Sequence, residues 1–153
     1  MIAFRIADRR HPIYDPTGAF LYGGRWNSPG KRVIYAAQSY AGALLEVLVH
    51  ANLGVVPRTH AAIEIHIPDD ISHEVLSSHA LEGWAAENNV ASRRFGDLWL
   101  DQRRSAVLLV PSVVLQGREA NILLNPDHPD FARITTTAPE PVLWDPRLFS
   151  RPR

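Results

Sequence analysis

The first residues alternate: Ile2, Phe4 and Ile6 are separated by Ala3 and Arg5, the period of a half-buried strand, which puts Arg5 on the face away from the apolar one. Residues 11–30 are dense in Pro, Gly, Asp, Ser and Asn and read as a long loop, whose aromatic and arginine content argues for an ordered, functional segment. Residues 33–37 form a short buried strand. Ser39 then caps a helix from about residue 40 to residue 53, with Ala41, Leu44, Leu45 and Leu48 as its apolar stripe and Glu46 off that stripe. Residues 59–67 alternate strictly. Ile63, Ile65 and Ile67 share one face and Ala62, Glu64 and His66 the other, a strand with one wet side.

Residues 72–104 read as mainly helical, with Trp84, Phe95, Leu98 and Trp99 able to dock the segment on a sheet. A continuous apolar run over 106–110 predicts a central strand ended by Pro111, so Ser112 falls where a buried strand stops. Residues 121–125 follow, then the turn Pro126-Asp127-His128-Pro129 and a predicted strand over 131–136. The tail after Val142 is rich in Pro and Arg and is expected to fray from about residue 145. Strands and helices do not alternate regularly. The expected fold class is therefore α+β, a single domain over 1–153 with mainly antiparallel sheets flanked by helices.

Composition narrows the function classes. A chain of 153 residues that is 46% hydrophobic can bury one substantial core. It has no cysteine, and no apolar run of signal-peptide length opens it, since Arg5, Asp8, Arg9 and Arg10 interrupt the first residues. The densest apolar segments, 43–49 and 106–115, are broken by Glu46 and by Pro111 with Ser112, short of the roughly 20 residues that span a bilayer. A cytoplasmic protein with no membrane association is expected. Basic and acidic side chains balance at 16 each, which removes the electrostatic source of direct nucleic-acid binding. Lys31 is the only lysine, and the dominance of arginine reads either as phosphate recognition or as the bias of a GC-rich genome.

Several familiar chemistries are missing. The chain has no Gly-x-Gly-x-x-Gly fingerprint, no phosphate-binding loop and no Gly-x-Ser-x-Gly elbow. Its 7 histidines lack zinc spacing, and His60 and His66 on one strand face have no clear third ligand, so no metal site is expected. Gly23-Gly24-Arg25-Trp26-Asn27 is the most specific local feature. It reads either as a backbone that approaches a ligand beside a clamping arginine, or as a tight turn with a core tryptophan. Glu46 reads as a solvated helix position or, given its apolar flanks, as a buried carboxylate that needs a partner or a task. Tyr35 by itself reads as a core tyrosine, and Ser112 as a turn cap without an adjacent base.

The order and spacing of these pieces carry a resemblance. Arg5, Gly23-Gly24-Arg25-Trp26-Asn27, Val33-Ile34-Tyr35-Ala36-Ala37 and Ala43-Leu44-Leu45-Glu46-Val47-Leu48-Val49-His50 are followed by Val110-Pro111-Ser112 and by Asn121-Ile122-Leu123-Leu124-Asn125-Pro126-Asp127-His128-Pro129. Together they resemble the RES domain, a bacterial toxin family named for its arginine, glutamate and serine; residues 69–104 add little to the match. The resemblance implies a fold like that of ADP-ribosyltransferase toxins, with an NAD pocket between sheets, and degradation of NAD by hydrolysis or phosphorolysis. NAD would be the substrate, with inorganic phosphate as co-substrate in the second case and no cofactor. Arg25, Glu46 and Ser112 would be the catalytic trio, and Arg5, Tyr35, Trp26, Asn125 and His128 would bind NAD. An Xre-type helix-turn-helix antitoxin would cover the site in a hetero-oligomer. Two further readings are ADP-ribose transfer to a macromolecule and a non-catalytic module that binds a nucleotide or a partner.

Residue chemistry suits the leading reading. Nicotinamide leaves NAD as a neutral base, so stabilising an oxocarbenium-like ribose matters more than a strong acid, a task for Glu46. Arg5 and Arg25 would hold the pyrophosphate, Tyr35 or Trp26 would stack on the nicotinamide, and Ser112 would bond its carboxamide or the ribose.

Overall fold

The computed structural model describes residues 1–50 and 55–149. In chain order these form β1 (Ile2–Asp8), α1 (Thr17–Tyr22), β2 (Ile34–Ala37), α2 (Tyr40–His50), β3 (His60–His66), β4 (His73–Val75), α3 (Val90–Asp101), β5 (Val107–Pro111), β6 (Ala120–Leu124), β7 (Thr135–Thr136) and β8 (Glu140–Pro141). Eight strands make one sheet in the order β4-β5-β6-β2-β1-β3-β7, with β8 pairing β3 beside β7. β4 runs parallel to β5; the other pairs are antiparallel, so the chain has the mainly antiparallel α+β architecture expected of it.

A seam divides the sheet. β1 and β3 are paired from Ile2↔His66 through Asp8↔His60, whereas β1 and β2 meet only at Phe4↔Ala37. One face of the sheet packs Ile34, Ala36, Ile63, Ile65, Ile122 and Leu124 beneath the connections carrying Ile13, Ile71 and Ile134. The other face is shared. α3 and the loop around Trp26 cover Leu108, Val110 and Leu123, and α2 covers Ile6 and Ala37 through Ala43. Functional side chains on that second face therefore lie between α2 and the Trp26 loop.

Local departures from the sequence pattern have local causes. β1 is covered on both faces: Ala3 is fully buried on the Arg5 side while Ile2 is exposed, so Arg5 lies inside the protein and not on a wet face. In α2 the sheet-facing positions are Gly42, Ala43 and Val47, while Ala41, Leu45 and Val49 of the apolar helix look outward. A helix apolar nearly all round offers two stripes, and the small residues Gly42 and Ala43 let the backbone approach closest on the second. Glu46 stands on that closer side. Residues 51–53 of the expected helix lie outside the described residues.

The segment expected to be helical over 72–104 opens with β4, which the buried run of β5 recruits as a parallel neighbour, and its helix begins only at Val90. Ser92, Phe95, Gly96, Trp99 and Leu100 form the inward face of α3, and Leu98 faces solvent. α1 interrupts the long loop of 11–30. In place of a strand from residue 131, a 3-10 turn spans Pro129–Arg133, begun by His128 accepting from the backbone of Asp130, and only Thr135–Thr136 pairs. In the segment after Val142, the Trp144 indole donates to the carbonyl of Pro57 and its ring meets Phe149 edge-on; residues 150–153 lie outside the described residues. Among the described residues, no helix is long and apolar enough to cross a membrane.

Candidate active site

The strand registers bring polar residues of distant sequence onto one face. Tyr35 stands opposite Leu123, and Ala37 opposite Asn121. Residues two apart share a sheet face, so Tyr35 and Asn121 are diagonal neighbours with Cβ atoms on the order of 7–8 Å apart. Both point toward the side covered by α2 and the Trp26 loop.

At the α2 end the centre is Glu46. Ser39 caps the helix, its Oγ accepting from Gly42 N at 2.9 Å and donating to Glu119 at 2.6 Å, which ties the start of α2 to the turn after β5. Two turns along, Glu46 Oε1 accepts from Asn121 Nδ2 at 3.0 Å and, more weakly, from Ser112 Oγ at 3.4 Å. Ser112 is fully buried and also accepts from Leu115 N at 3.2 Å, so it caps the turn and touches the carboxylate at once. Oε2 of Glu46 has no hydrogen bond among the described residues, which leaves a half-buried carboxylate oxygen for a ligand. Asn121 was not among the site residues expected from the sequence. Its signal would have been the strand period alone, which puts it two positions before the buried Leu123 on the same face.

The Gly23–Asn27 run forms the other end. Gly23 takes φ 72° and Gly24 N bonds Asn27 O at 2.9 Å, a tight turn. Gly24 passes so close to Tyr35 that a Cβ there would lie 2.7 Å from its hydroxyl. That hydroxyl donates to Asn27 Oδ1 at 2.7 Å and accepts from Trp26 N at 3.0 Å, and the Asn27 amide fastens the carbonyls of Ala19, Ser28 and Lys31. Tyr35 is thus a strut for the loop. Burial pushes its phenol well above the ordinary range, against the pull of the Trp26 N–H and of the charges of Arg93 and Arg25. Trp26 is 2% exposed and meets Phe95 edge-on, while its carbonyl would be 1.8 Å from a Cβ on Gly96. Its indole belongs to the core under α3, which corrects the expectation that it stacks on a ligand. The structure has the second reading of this run, a tight turn with a core tryptophan, held against Tyr35.

Two groups of basic side chains stand apart by their partners. Arg10, Lys31, Arg32, Arg104, Arg133 and Arg147 each pair with an aspartate or glutamate near the surface. Arg5, Arg25 and Arg93 are half-buried, and among the described residues their guanidinium groups bond only backbone carbonyls. Arg5 sits in the seam, with Nε on Ile13 O and Nη1 on Tyr35 O, both at 2.7 Å. Burial lowers its pKa, partly offset by the more distant Asp15, yet guanidinium stays charged at any ordinary pH. Arg25 Nη1 reaches Ala86 O at 3.0 Å and Trp84 O at 3.3 Å, and Arg93 Nε reaches Gly24 O at 2.8 Å. Carbonyl dipoles solvate these charges without neutralising them, and the two that act on the Tyr35 hydroxyl, Arg25 and Arg93, make their side of the sheet favourable to an anion, whereas Arg5 projects to the opposite face beside Ile63.

Three expected residues do not join this assembly. Arg5 projects from β1 to the opposite sheet face, beside Ala3 and Ile63, because strand alternation gives the Glu46 side to Phe4 and Ile6. Asn125 is buried at the far end of β6, its amide on Leu100 O at 3.4 Å and its carbonyl accepting from Asp127 N at 3.0 Å. His128 is occupied as the cap of the 3-10 turn. Four strand residues separate Asn121 from Asn125, about 13 Å. Among the described residues, no group of three His, Asp or Glu is placed to hold a metal ion.

The sequence model of the RES domain matches residues 2–145. The chain belongs to the RES-domain family. Its relatives include the Prs ADP-ribosylating toxin of Sphingobium sp. (strain YBL2), 42% identical over 138 residues that span 88% of this chain and 85% of the relative. Toxin Res of Pseudomonas putida is 38% identical over 152 residues, 97% of this chain and 100% of that one. Toxin Res of Yersinia enterocolitica is 34% identical over 152 residues, covering 97% and 99%. The toxin fold recurs in a crystal structure of the M. tuberculosis MbcT–MbcA toxin–antitoxin complex, with a TM-score of 0.71 at 18% identity over 97% of this chain and 86% of the other. At that identity the likeness speaks for the fold.

Proposed function

We propose that this RES-domain protein is a cytoplasmic toxin that cleaves the nicotinamide–ribose bond of NAD. The observation that carries this reading is the pairing, on one sheet face, of a half-buried carboxylate with one open oxygen and of guanidinium groups that no carboxylate neutralises. A dinucleotide has the complementary chemistry: an anionic pyrophosphate and, at some distance, a ribose that becomes electron-poor as its base departs.

The C1′–N bond breaks with its electron pair passing to the nicotinamide ring nitrogen, which leaves neutral. Glu46 then supplies charge stabilisation to the ribosyl cation or holds its hydroxyl, with Asn121 and Ser112 fixing the carboxylate. Arg25 would hold the phosphates, as a positioning group. Water or inorganic phosphate then takes C1′ and releases its proton, which gives hydrolysis or phosphorolysis. A second reading keeps the first step and changes the acceptor: the relative from Sphingobium is named an ADP-ribosylating toxin that acts on Prs, which favours a protein nucleophile as an alternative destination of the ADP-ribosyl group. The partner would be an Xre-type antitoxin in a hetero-oligomer, a reading supported by the antitoxin in the complex that shares the fold.

The test is incubation of purified protein, stripped of any antitoxin, with NAD labelled in its adenylate half, with and without phosphate and with and without purified Prs. Stoichiometric nicotinamide release is expected; release at the uncatalysed rate under every condition defeats the reading. Label in free ADP-ribose or its 1-phosphate assigns degradation, and label retained on Prs assigns transfer.

A further inference from the structure

We infer that Arg93, on the inward edge of α3, is a second phosphate-binding arginine of this site. The inference rests on the reading that the cleft takes NAD. It starts from a segment, residues 69–104, in which the family resemblance offered no site residue.

Arg93 is half-buried and spends only Nε inside the protein, on the carbonyl of Gly24 at 2.8 Å. That bond fixes the plane of the guanidinium while both terminal nitrogens have no partner among the described residues. The neighbouring carboxylate that could have quenched it, Asp97 one turn along α3, is instead consumed by the backbone and hydroxyl of Ser28. Gly24 separates Arg93 from Arg25, and the charges of both guanidinium groups act on the Tyr35 hydroxyl, so the two flank one short stretch of backbone. A fixed guanidinium with two parallel donors free matches the two oxygens of a phosphate. Two such groups across one glycine suit a pyrophosphate better than a single phosphate. The adjacent Arg94 is exposed and lines the same surface cavity as Arg93, with Asp97 and Asp101, and no bond fixes its guanidinium to Gly24.

Calorimetry of the full chain with ADP-ribose, at low and at physiological salt, tests the assignment. Arg93→Gln should weaken binding at least tenfold and flatten its salt dependence, and Arg94→Gln, which removes a neighbouring charge that is not fixed on Gly24, should weaken it less than threefold. Arg93→Lys restores the charge without the Nε bond to Gly24. Recovery of at least half the lost affinity, on a logarithmic scale, is expected if Arg93 acts on phosphate; a loss equal to that of Arg93→Gln shows that it only anchors the loop and overturns the inference. The source of the phosphate is read separately. If Arg93→Gln binds ADP-ribose normally but loses the stimulation of nicotinamide release by inorganic phosphate, the group held is the free acceptor. Unchanged ADP-ribose binding together with unchanged stimulation overturns the inference alone, and wild-type protein that binds no ADP-ribose overturns the NAD reading with it.

Discussion

Asn121 and Asn125 are four residues apart on the same strand and its following turn, and they live under opposite regimes. At the Asn125 end, each polar group closes on backbone: Asn125 on Leu100 and Asp127, His128 on Asp130. These bonds satisfy a chain reversal at the edge of the core. At the Asn121 end, the bonds run between side chains of three separate elements, from β6 and the turn after β5 to Glu46 on α2, and one carboxylate oxygen stays open. Local closure onto backbone is what architecture requires. Side chains that converge across 66 and 75 residues of sequence, with capacity to spare, are what chemistry requires.

The contrast can be broken most severely at Glu46. Glu46→Gln keeps the shape and the Asn121 contact within rearrangement of one amide, and removes the charge. It should lower the rate of nicotinamide release by about 10²–10³-fold, the range for loss of one preorganised electrostatic partner, with little change in thermal midpoint. A rate within a factor of three of wild type would remove the carboxylate from the mechanism.

Asn125→Ala should behave in the opposite way. It removes a long bond to the carbonyl of Leu100, which keeps the Arg103 N–H, and the bond to the N–H of the exposed Asp127, a loss of about 0.5–1.5 kcal/mol read as a lower urea midpoint, while turnover per folded molecule stays at the wild-type level. Asn121→Ala lands on activity. With one of its two fixing bonds gone, Glu46 gains freedom, and kcat should drop about tenfold, roughly 1.4 kcal/mol, with KM nearly constant. If instead KM rises and kcat holds, Asn121 contacts the substrate directly.

The smallest effect lies outside both ends. Tyr14 stacks on Phe131 at 5.5 Å, and burial raises its phenol from 10.0 to about 12. The folded state thus favours the neutral form. The stability this contributes is complete below about pH 10 and declines between pH 10 and 12, because the unfolded chain ionises first. Tyr14→Phe should flatten that decline, measured as the difference in urea midpoint between pH 9 and pH 11. The ring's partial exposure keeps the difference below about 1 kcal/mol. An identical pH profile in the variant would assign the alkaline loss to other groups, Tyr35 foremost.

Much of the fold was legible in one dimension. Period-two alternation and short apolar runs marked β1, β2, β3 and β5, because a strand flanked by core must repeat its apolar side chains in step with the pleat. β4 and β8 were not legible, and of the strand expected over 131–136 only the last two residues pair, as β7. All three are two or three residues long, with partly polar sequences, and owe their existence to a neighbouring strand edge. The orientation of α2 was open for a related reason: in a helix apolar on most sides, hydrophobicity ranks no face first, and the small side chains of Gly42 and Ala43 decided it.

For the site, the chain's own order of residues determined which chemistry was available: few lysines, no cysteine, no metal spacing, a Gly-Gly-Arg turn, and a glutamate set among leucines and valines. Tertiary structure decided which of those groups meet. Register put Asn121 rather than Asn125 beside the carboxylate, packing under α3 turned Trp26 inward, and among the described residues Arg5, Arg25 and Arg93 bond backbone carbonyls and no carboxylate, in a protein of zero net charge. Composition counts charges, but neutralisation depends on distance, falling with separation and burial as Coulomb's law prescribes, and distance exists only once the chain has folded.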